Sequence, residues 1–227
     1  MTTGHAPLPP THPRFVSLEG GEGAGKTTVL AALRAALQTD GCEVVSTREP
    51  GGTPLAERIR GLLLGPDGEG AAREPVWPET ELLLMFAART QHLGETILPA
   101  LERGAWVISD RFTDSSHAYQ GAGRGLDPAL VTDLECRFVP VRPALTLLLD
   151  VGVGIGRERT RGRDLALSGN GPDRIERERD EFFERVRGAF LARAAAEPGR
   201  IRVINASRPA DVVAAEAVAI LQASRAR

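Results

Sequence analysis

Apolar residues gather in five short, nearly unbroken runs along this chain, at 15–18, 43–47, 105–109, 145–151 and 201–204. Runs of that length without polar alternation predict parallel strands covered on both faces. Between them the spacing changes to that of a helix. Leu30, Leu33 and Leu37 share one helical face, Phe182, Val186 and Phe190 another, and Val213, Ala217, Ile220 and Leu221 a third. Alternation of strand and helix predicts an α/β fold, a doubly wound parallel five-stranded sheet flanked by helices and joined by right-handed crossovers. Ligands of such sheets bind outside the carboxyl ends of the strands.

Two polar, glycine-bearing stretches interrupt the pattern, 65–75 and 161–172. The first reads as a surface loop. Residues 1–13 are rich in Pro, Thr and His and read as a flexible N-terminal arm, which leaves 14–227 as a single domain without internal repeats. Gly152-Val153-Gly154-Ile155-Gly156 imitates a dinucleotide fingerprint, but Arg157 stands where the last glycine belongs. It reads instead as a helix approach that needs little side chain.

The 227 residues suit one domain with a substantial core. A net charge of −2 provides no field for a nucleic acid polymer or a membrane surface. Cys42 and Cys136 lack metal-ligand spacing. The arm has no apolar core of the signal-peptide kind, and no run reaches membrane-spanning length. A cytoplasmic location with no membrane partner is the expectation.

Directly after the first strand comes Gly20-Gly21-Glu22-Gly23-Ala24-Gly25-Lys26-Thr27, followed by Thr28 and a helix. Strand, G-x-x-x-x-G-K-[ST] and helix together are the context of a phosphate-binding loop, so the sheet is expected to be of the P-loop NTPase type. Its glycines let backbone N–H groups converge on an anion at a helix N-terminus. Lys26 would reach the β- and γ-phosphates, and the Thr27 hydroxyl would hold Mg²⁺. ATP and Mg²⁺ are therefore the expected cofactors.

Further clusters imply a second, acceptor side. Arg48, at the end of the second strand in Thr47-Arg48-Glu49-Pro50-Gly51-Gly52-Thr53, is placed for bidentate contact with a phosphate. Asp110 and Arg111 follow the third strand. Asp110 could steady the metal, and Arg111 could clamp an acceptor phosphate. Phe86 lies one helical turn before Arg89, a spacing that suits either base stacking with edge recognition or core packing. The segment with Arg157, Arg159, Arg161, Arg163 and Arg174 fits a salt-laced exposed helix or a lid at about 157–176 closing over ATP.

The loop at 19–28, Thr47-Arg48-Glu49-Pro50-Gly51-Gly52-Thr53, and Asp110-Arg111-Phe112 running on to Ala118-Tyr119-Gln120-Gly121 occur in this order. With them the chain resembles the thymidylate kinases, members of the nucleoside monophosphate kinase-like folds, from about residue 15 to its end. The resemblance implies ATP-dependent phosphorylation of dTMP to dTDP in dTTP biosynthesis, by a homodimer. It implies Glu22 at the deoxyribose 3′-hydroxyl, Arg48 and Arg111 on the acceptor phosphate, and Phe86 stacked on thymine. Arg89, Ser115 and Gln120 would address the base's polar edge, and Tyr119 would lie against the sugar. The loop carries no Arg at Gly23 or Ala24, which is similar to the bacterial type with a catalytic lid arginine, here assigned first to Arg163, then to Arg159 and Arg161. Asn205-Ala206-Ser207 resembles the adenine-side loop. Phe112, where Tyr or His is expected, and the extra residues around 165–171 depart from the pattern. Another (deoxy)nucleoside monophosphate kinase, or a regulatory ATPase that signals by closure, are the alternatives.

Overall fold

The computed structural model describes residues 7–65, 74–166 and 173–225, without the side chains of 162–166. Most of the expected 65–75 loop, the start of the arm and residues 167–172 of the expected lid therefore lie outside the described residues. In chain order the elements are β1 (Thr11–Gly20), α1 (Lys26–Thr39), β2 (Val44–Arg48), α2 (Pro54–Leu64) and α3 (Pro78–His92). A wide π-helical turn, Leu93–Ile97, links α3 to α4 (Leu98–Glu102), ahead of β3 (Trp106–Asp110) and α5 (Thr113–Ser116). Helix α5 runs into a second π-helical stretch, His117–Gly123. Then follow α6 (Pro128–Phe138), β4 (Arg142–Asp150), α7 (Val153–Ala166), α8 (Asp180–Ala196), β5 (Ile201–Asn205) and α9 (Ala210–Arg225).

The five strands form one parallel sheet, as the apolar runs predict, and their order is β2-β3-β1-β4-β5. Their bounds differ in an informative way. Strand β1 begins at Thr11, because the Arg142 amide bonds the Pro10 carbonyl and extends the β1–β4 ladder. Residues 11–13 thus belong to the sheet rather than to the arm. Strands β2 and β3 run on to Arg48 and Asp110, which face each other in the register, while Asp110 also faces Leu18 of β1. The ladder itself thereby carries three motif-bearing segments to one edge.

Both faces are covered. Val16, Leu18, Ile108, Leu147 and Leu149 pack under α1 and α9 through Val29, Leu33, Leu37, Val213, Ala217 and Leu221. On the other side Phe15 and Val107 meet α3 and α6 through Leu82, Phe86, Val131 and Leu134. Helix α8 adds Phe182, Val186 and Phe190 against Tyr119, Leu148 and Ile201. Of the glycines around the start of α7, close approach requires Gly156: a Cβ there would overlap the Glu22 carbonyl oxygen, and one on Gly23 would overlap the Gly156 carbonyl.

A buried polar network pins α5 between the sheet and α8. Asp114 accepts from Arg193 Nε at 2.7 Å and from Arg200 Nη1 and Nη2 at 2.8 and 2.9 Å. Arg200 Nη1 also donates to Thr146 Oγ1 at 2.8 Å, which bonds Ser17 Oγ at 2.8 Å. These donors overcome burial and hold the Asp114 carboxyl well below the ordinary aspartate range. Breaking such a buried pair strands a charge. Arg200→Met should therefore lose about 3–5 kcal/mol in urea unfolding at neutral pH. The gap to the parent should narrow on acidification, as the stranded Asp114 takes up a proton; a pH-independent loss of under about 1 kcal/mol would reject the pairing as a structural tie.

Candidate active site

Strand β1 ends buried, and the chain then turns through Gly20, Gly23 and Gly25 with φ of 137°, 68° and 88°. These left-handed values are what glycine permits without strain. Gly25 stands at the N-terminus of α1, and its carbonyl accepts from the Thr28 and Val29 amides at 3.1 and 3.2 Å. Lys26 folds back over the loop, its Nζ donating to the Gly21 carbonyl at 3.0 Å and lying 3.4 Å from that of Gly20. Burial, and then the charge of Arg111, push the Lys26 ammonium below the usual lysine range. An arriving phosphate would oppose both effects by bringing negative charge to the ammonium.

Arg111 bridges the two sides. It follows β3 with φ of 73°, a left-handed conformation that an arginine adopts only when its surroundings enforce it. The Arg111 amide donates to the Leu18 carbonyl at 2.8 Å, and its carbonyl accepts from Ser109 Oγ at 2.7 Å. Its guanidinium donates to the Gly20 carbonyl at 3.0 Å, to Ser115 Oγ at 3.2 Å and to Glu22 Oε1 at 2.7 Å. It sits 4.9 Å above the Tyr119 ring. Beneath it Glu19, fully buried, accepts from the Phe112 amide at 2.8 Å and from Ser115 Oγ at 2.6 Å. Burial and then the Asp114 charge raise the Glu19 carboxyl to about 7 against those donors.

A cavity of about 530 Å³ opens between these groups. Its wall includes Glu22, Gly23, Ala24, Gly25, Lys26, Thr27 and Thr28 from the loop, with Arg48, Arg89, Asp110, Arg111, Ser115, Tyr119 and Gln120. Gly20 and Gly21 border a separate, smaller recess behind the loop. Arg48 is half exposed and pairs with both Glu57 oxygens at 3.0 and 2.9 Å. Asp110 Oδ1 is buried without a hydrogen-bond partner, as is Tyr119 Oη.

At the far end, Arg89 is held on three sides: by Glu49 Oε2 at 2.7 Å, Ser116 Oγ at 3.1 Å and the Phe112 carbonyl at 3.2 Å. Phe86 does not reach the cavity wall. It is 3% exposed, packs in the core beside Leu82 and Phe112, and lies under Arg89 at 4.7 Å. The α3 side chain on the wall beside Arg89 is Met85, one helical turn earlier on the same face. Of the two readings that the Phe86–Arg89 spacing allows, burial of the ring supports core packing, and Met85 carries no sequence signal that marks it for the wall.

Arg60, Asp173, Ile175 and Glu176 also line the cavity. Arg60, held by the Pro50 carbonyl at 2.9 Å, carries no sequence signal that sets it apart from other helix-surface arginines. A second recess, of about 390 Å³, lies between Gly23, Thr28, Arg159 and the turn from Ala206 to Val213. Arg159 Nη1 donates to the Ala206 carbonyl at 2.8 Å there, and its Nη2 donates to that of Ser207 at 3.3 Å. The side chain of Arg163, on α7, lies outside the described residues. The arrangement is a phosphate-binding loop and a second cationic pocket sharing one cavity, which suits moving a phosphoryl group between two bound partners.

Comparison with known proteins agrees with this geometry. The family model described as "Thymidylate kinase" matches residues 18–217. The thymidylate kinase of Alkalilimnicola ehrlichii is 53% identical over 204 residues, covering 89% of each protein. That of Pseudomonas fluorescens is 56% identical over 199 residues, 86% of this chain and 88% of its own. Among solved structures, thymidylate kinase from Ehrlichia chaffeensis superposes with a TM-score of 0.70 at 33% identity, over 94% of this chain and 99% of the other.

The Glu19 environment has a measurable signature. Its folded pKa lies above that of the unfolded chain, so its contribution to stability is full below the ordinary glutamate range and is lost as pH rises through about 7. Glu19→Gln removes the ionisation. Its melting temperature relative to the parent should rise between pH 6 and pH 8.5; a fall over that interval would contradict a carboxyl kept neutral by burial.

Proposed function

The chain belongs to the thymidylate kinase family, and from that membership we propose how its own residues carry out the reaction. The enzyme transfers the γ-phosphoryl group of ATP to dTMP, giving dTDP and ADP on the route to dTTP. The observation that carries the residue-level reading is the single cavity holding Lys26 on one wall and Arg48 with Arg111 on another.

The loop N–H groups and Lys26 bind the ATP phosphates, and the recess beside Ala206 and Ser207 takes the adenine. Thr27 and Asp110 would hold Mg²⁺, which offsets charge on the β- and γ-phosphates; the partnerless Asp110 oxygen on the cavity wall fits that role. Arg48 and Arg111 bind the dTMP phosphate, Glu22 its 3′-hydroxyl, and Tyr119 packs against the sugar. Ser115 and Gln120 face the base edge together with Arg89, and Met85 covers the base where Phe86 was expected. Arg163 is the lid arginine; the capture of Arg159 by two carbonyl groups of the adenine-side turn supports that order of preference. We read the working form as a cytoplasmic homodimer. Leu55 and Leu62 of α2, Leu83 of α3, and Leu130 and Phe138 of α6 are exposed apolar side chains on helices that pack side by side, which supports a second copy there.

In an ADP-release assay over a panel of monophosphates, dTMP should be the preferred acceptor. The thymine methyl is worth only ~1–3 kcal/mol in an apolar pocket, so dUMP should be a weak but real substrate. Tight preference for another acceptor, or ATP turnover that ignores the acceptor, would favour the other kinase or the regulatory ATPase. Lys26→Ala should lose about 10²–10⁴-fold in kcat while melting like the parent, and Arg111→Ala should lose as much in kcat and also melt below the parent, because it takes the pair from Glu22 and leaves an alanine at φ of 73°. Near-normal turnover in either would remove it from the chemistry.

The two neighbouring α3 positions should separate cleanly. Met85→Ala should raise KM for dTMP roughly tenfold with little change in kcat or melting, since it removes one apolar face of the ligand. Phe86→Ala should instead destabilise the fold by about 3–5 kcal/mol. The reverse pattern in steady-state kinetics and thermal melts would return Phe86 to the base.

A further inference from the structure

Glu81, on the first turn of α3, has no solvent exposure, yet it is a carboxylate. Three donors converge on it. Gln120 Nε2 donates to its Oε1 at 2.8 Å, and Arg124 Nε approaches both oxygens at 3.3 and 3.2 Å. Arg174 Nη2 bonds its Oε2 while Arg174 Nε donates to the Leu63 carbonyl at 2.9 Å. These donors outweigh burial and keep the Glu81 carboxyl below the usual glutamate range. Nothing in the reaction as described uses this residue.

An ionised carboxylate accepts hydrogen bonds and cannot donate them. A primary amide can present either its oxygen or its nitrogen, and an unconstrained glutamine would present whichever a ligand preferred. With Glu81 beside it, the Gln120 amide has one stable orientation, nitrogen toward the carboxylate and oxygen turned away from it. Gln120 is 1% exposed and lies on the cavity wall at the base end. We propose that Glu81 is a positioning residue for base selection: by holding the Gln120 amide nitrogen, it commits the Gln120 oxygen to accept a hydrogen bond from the base. This rests on the placement of the base at Gln120. Thymine offers a donor there, its N3–H, whereas cytosine offers an N3 lone pair that would face the oxygen. The carboxylate thus converts an ambidextrous side chain into one that refuses cytosine.

The same two arginines give Glu81 a second consequence. Arg174 and Arg124 tie it to the 173–178 turn at the end of the expected lid, Arg124 by also pairing with Glu178. The charge that sets the amide is thereby fixed from three directions.

The test compares kcat/KM for dTMP and dCMP in the parent, Glu81→Gln and Gln120→Leu. A glutamine at 81 can donate or accept, so it frees the Gln120 amide to turn. The dTMP-to-dCMP ratio should narrow by tenfold or more, the cost of mispairing one buried polar group. Equal losses on both substrates, leaving the ratio unchanged, would show Glu81 to be a structural anchor alone and would overturn the proposal. Should Glu81→Gln fail to fold, Glu81→Asp keeps a negative charge among the donors while drawing it back from the Gln120 amide, and the same narrowing is required of it. Gln120→Leu separates this claim from its premise. An unchanged ratio there would sink the base placement itself, whereas a narrowed ratio there with none at position 81 would sink the Glu81 claim.

Discussion

The site depends on a guanidinium held across two strands. Arg111 rises from the end of β3 but spends a hydrogen bond on the carbonyl of Gly20, the residue where β1 becomes the phosphate loop. Donor and acceptor halves are therefore linked by one charged group, without a hinge between them. Such a contact would be repulsive toward Lys26 if nothing compensated it. Glu22 supplies the compensation, pairing with Arg111 at 2.7 Å. The left-handed backbone at Arg111 follows from the same demand: the chain must leave the strand sharply enough to turn its side chain back over β1.

Glu19 and Asp114 show how little a residue type says about its charge. Both are buried carboxylates, and each acts on the other. Asp114 meets two arginines and stays ionised, whereas Glu19 meets a hydroxyl, an amide and a more distant guanidinium, so burial prevails. The consequence for catalysis is indirect. A neutral Glu19 leaves more of the Arg111 charge facing the cavity than an ionised one would, and the arginine is better placed to receive a phosphate.

What the sequence made legible follows from the range of each signal. The five strands, the loop at Gly20 to Thr27 and the edge residues Arg48, Asp110 and Arg111 are local patterns, set by hydrophobic runs and by residues adjacent to them. The sheet order then brings them together without further information. Which of Met85 and Phe86 reaches the cavity is decided by which face of α3 meets the sheet, and no local pattern contains that. Glu81 and Arg60 were invisible for another reason: a charge on an amphipathic helix reads as solvated until tertiary packing buries it. The start of β1 at Thr11 was hidden because its partner is an arginine-proline stretch of β4, far along the chain.

The two arginines proposed for the acceptor phosphate differ in a way that bears on how the substrate enters. Arg111 is enclosed and held at four points, so it is preorganised and loses little freedom when a phosphate arrives. Arg48 is about half exposed and rests on Glu57, which also accepts from the Gly52 amide at 3.0 Å. An exposed pair of that kind is worth only ~0–1 kcal/mol, so a phosphate can take the guanidinium from Glu57 at small cost. Glu57 keeps its backbone donor when that happens and is not left bare. On the proposed reading the fixed arginine defines where the acceptor phosphate sits, and the loosely held one closes on it afterwards. That division also places selectivity at the other end of the cavity: phosphate binding is strong and common to every monophosphate, so discrimination among bases must come from side chains whose donors and acceptors are already committed before the ligand arrives.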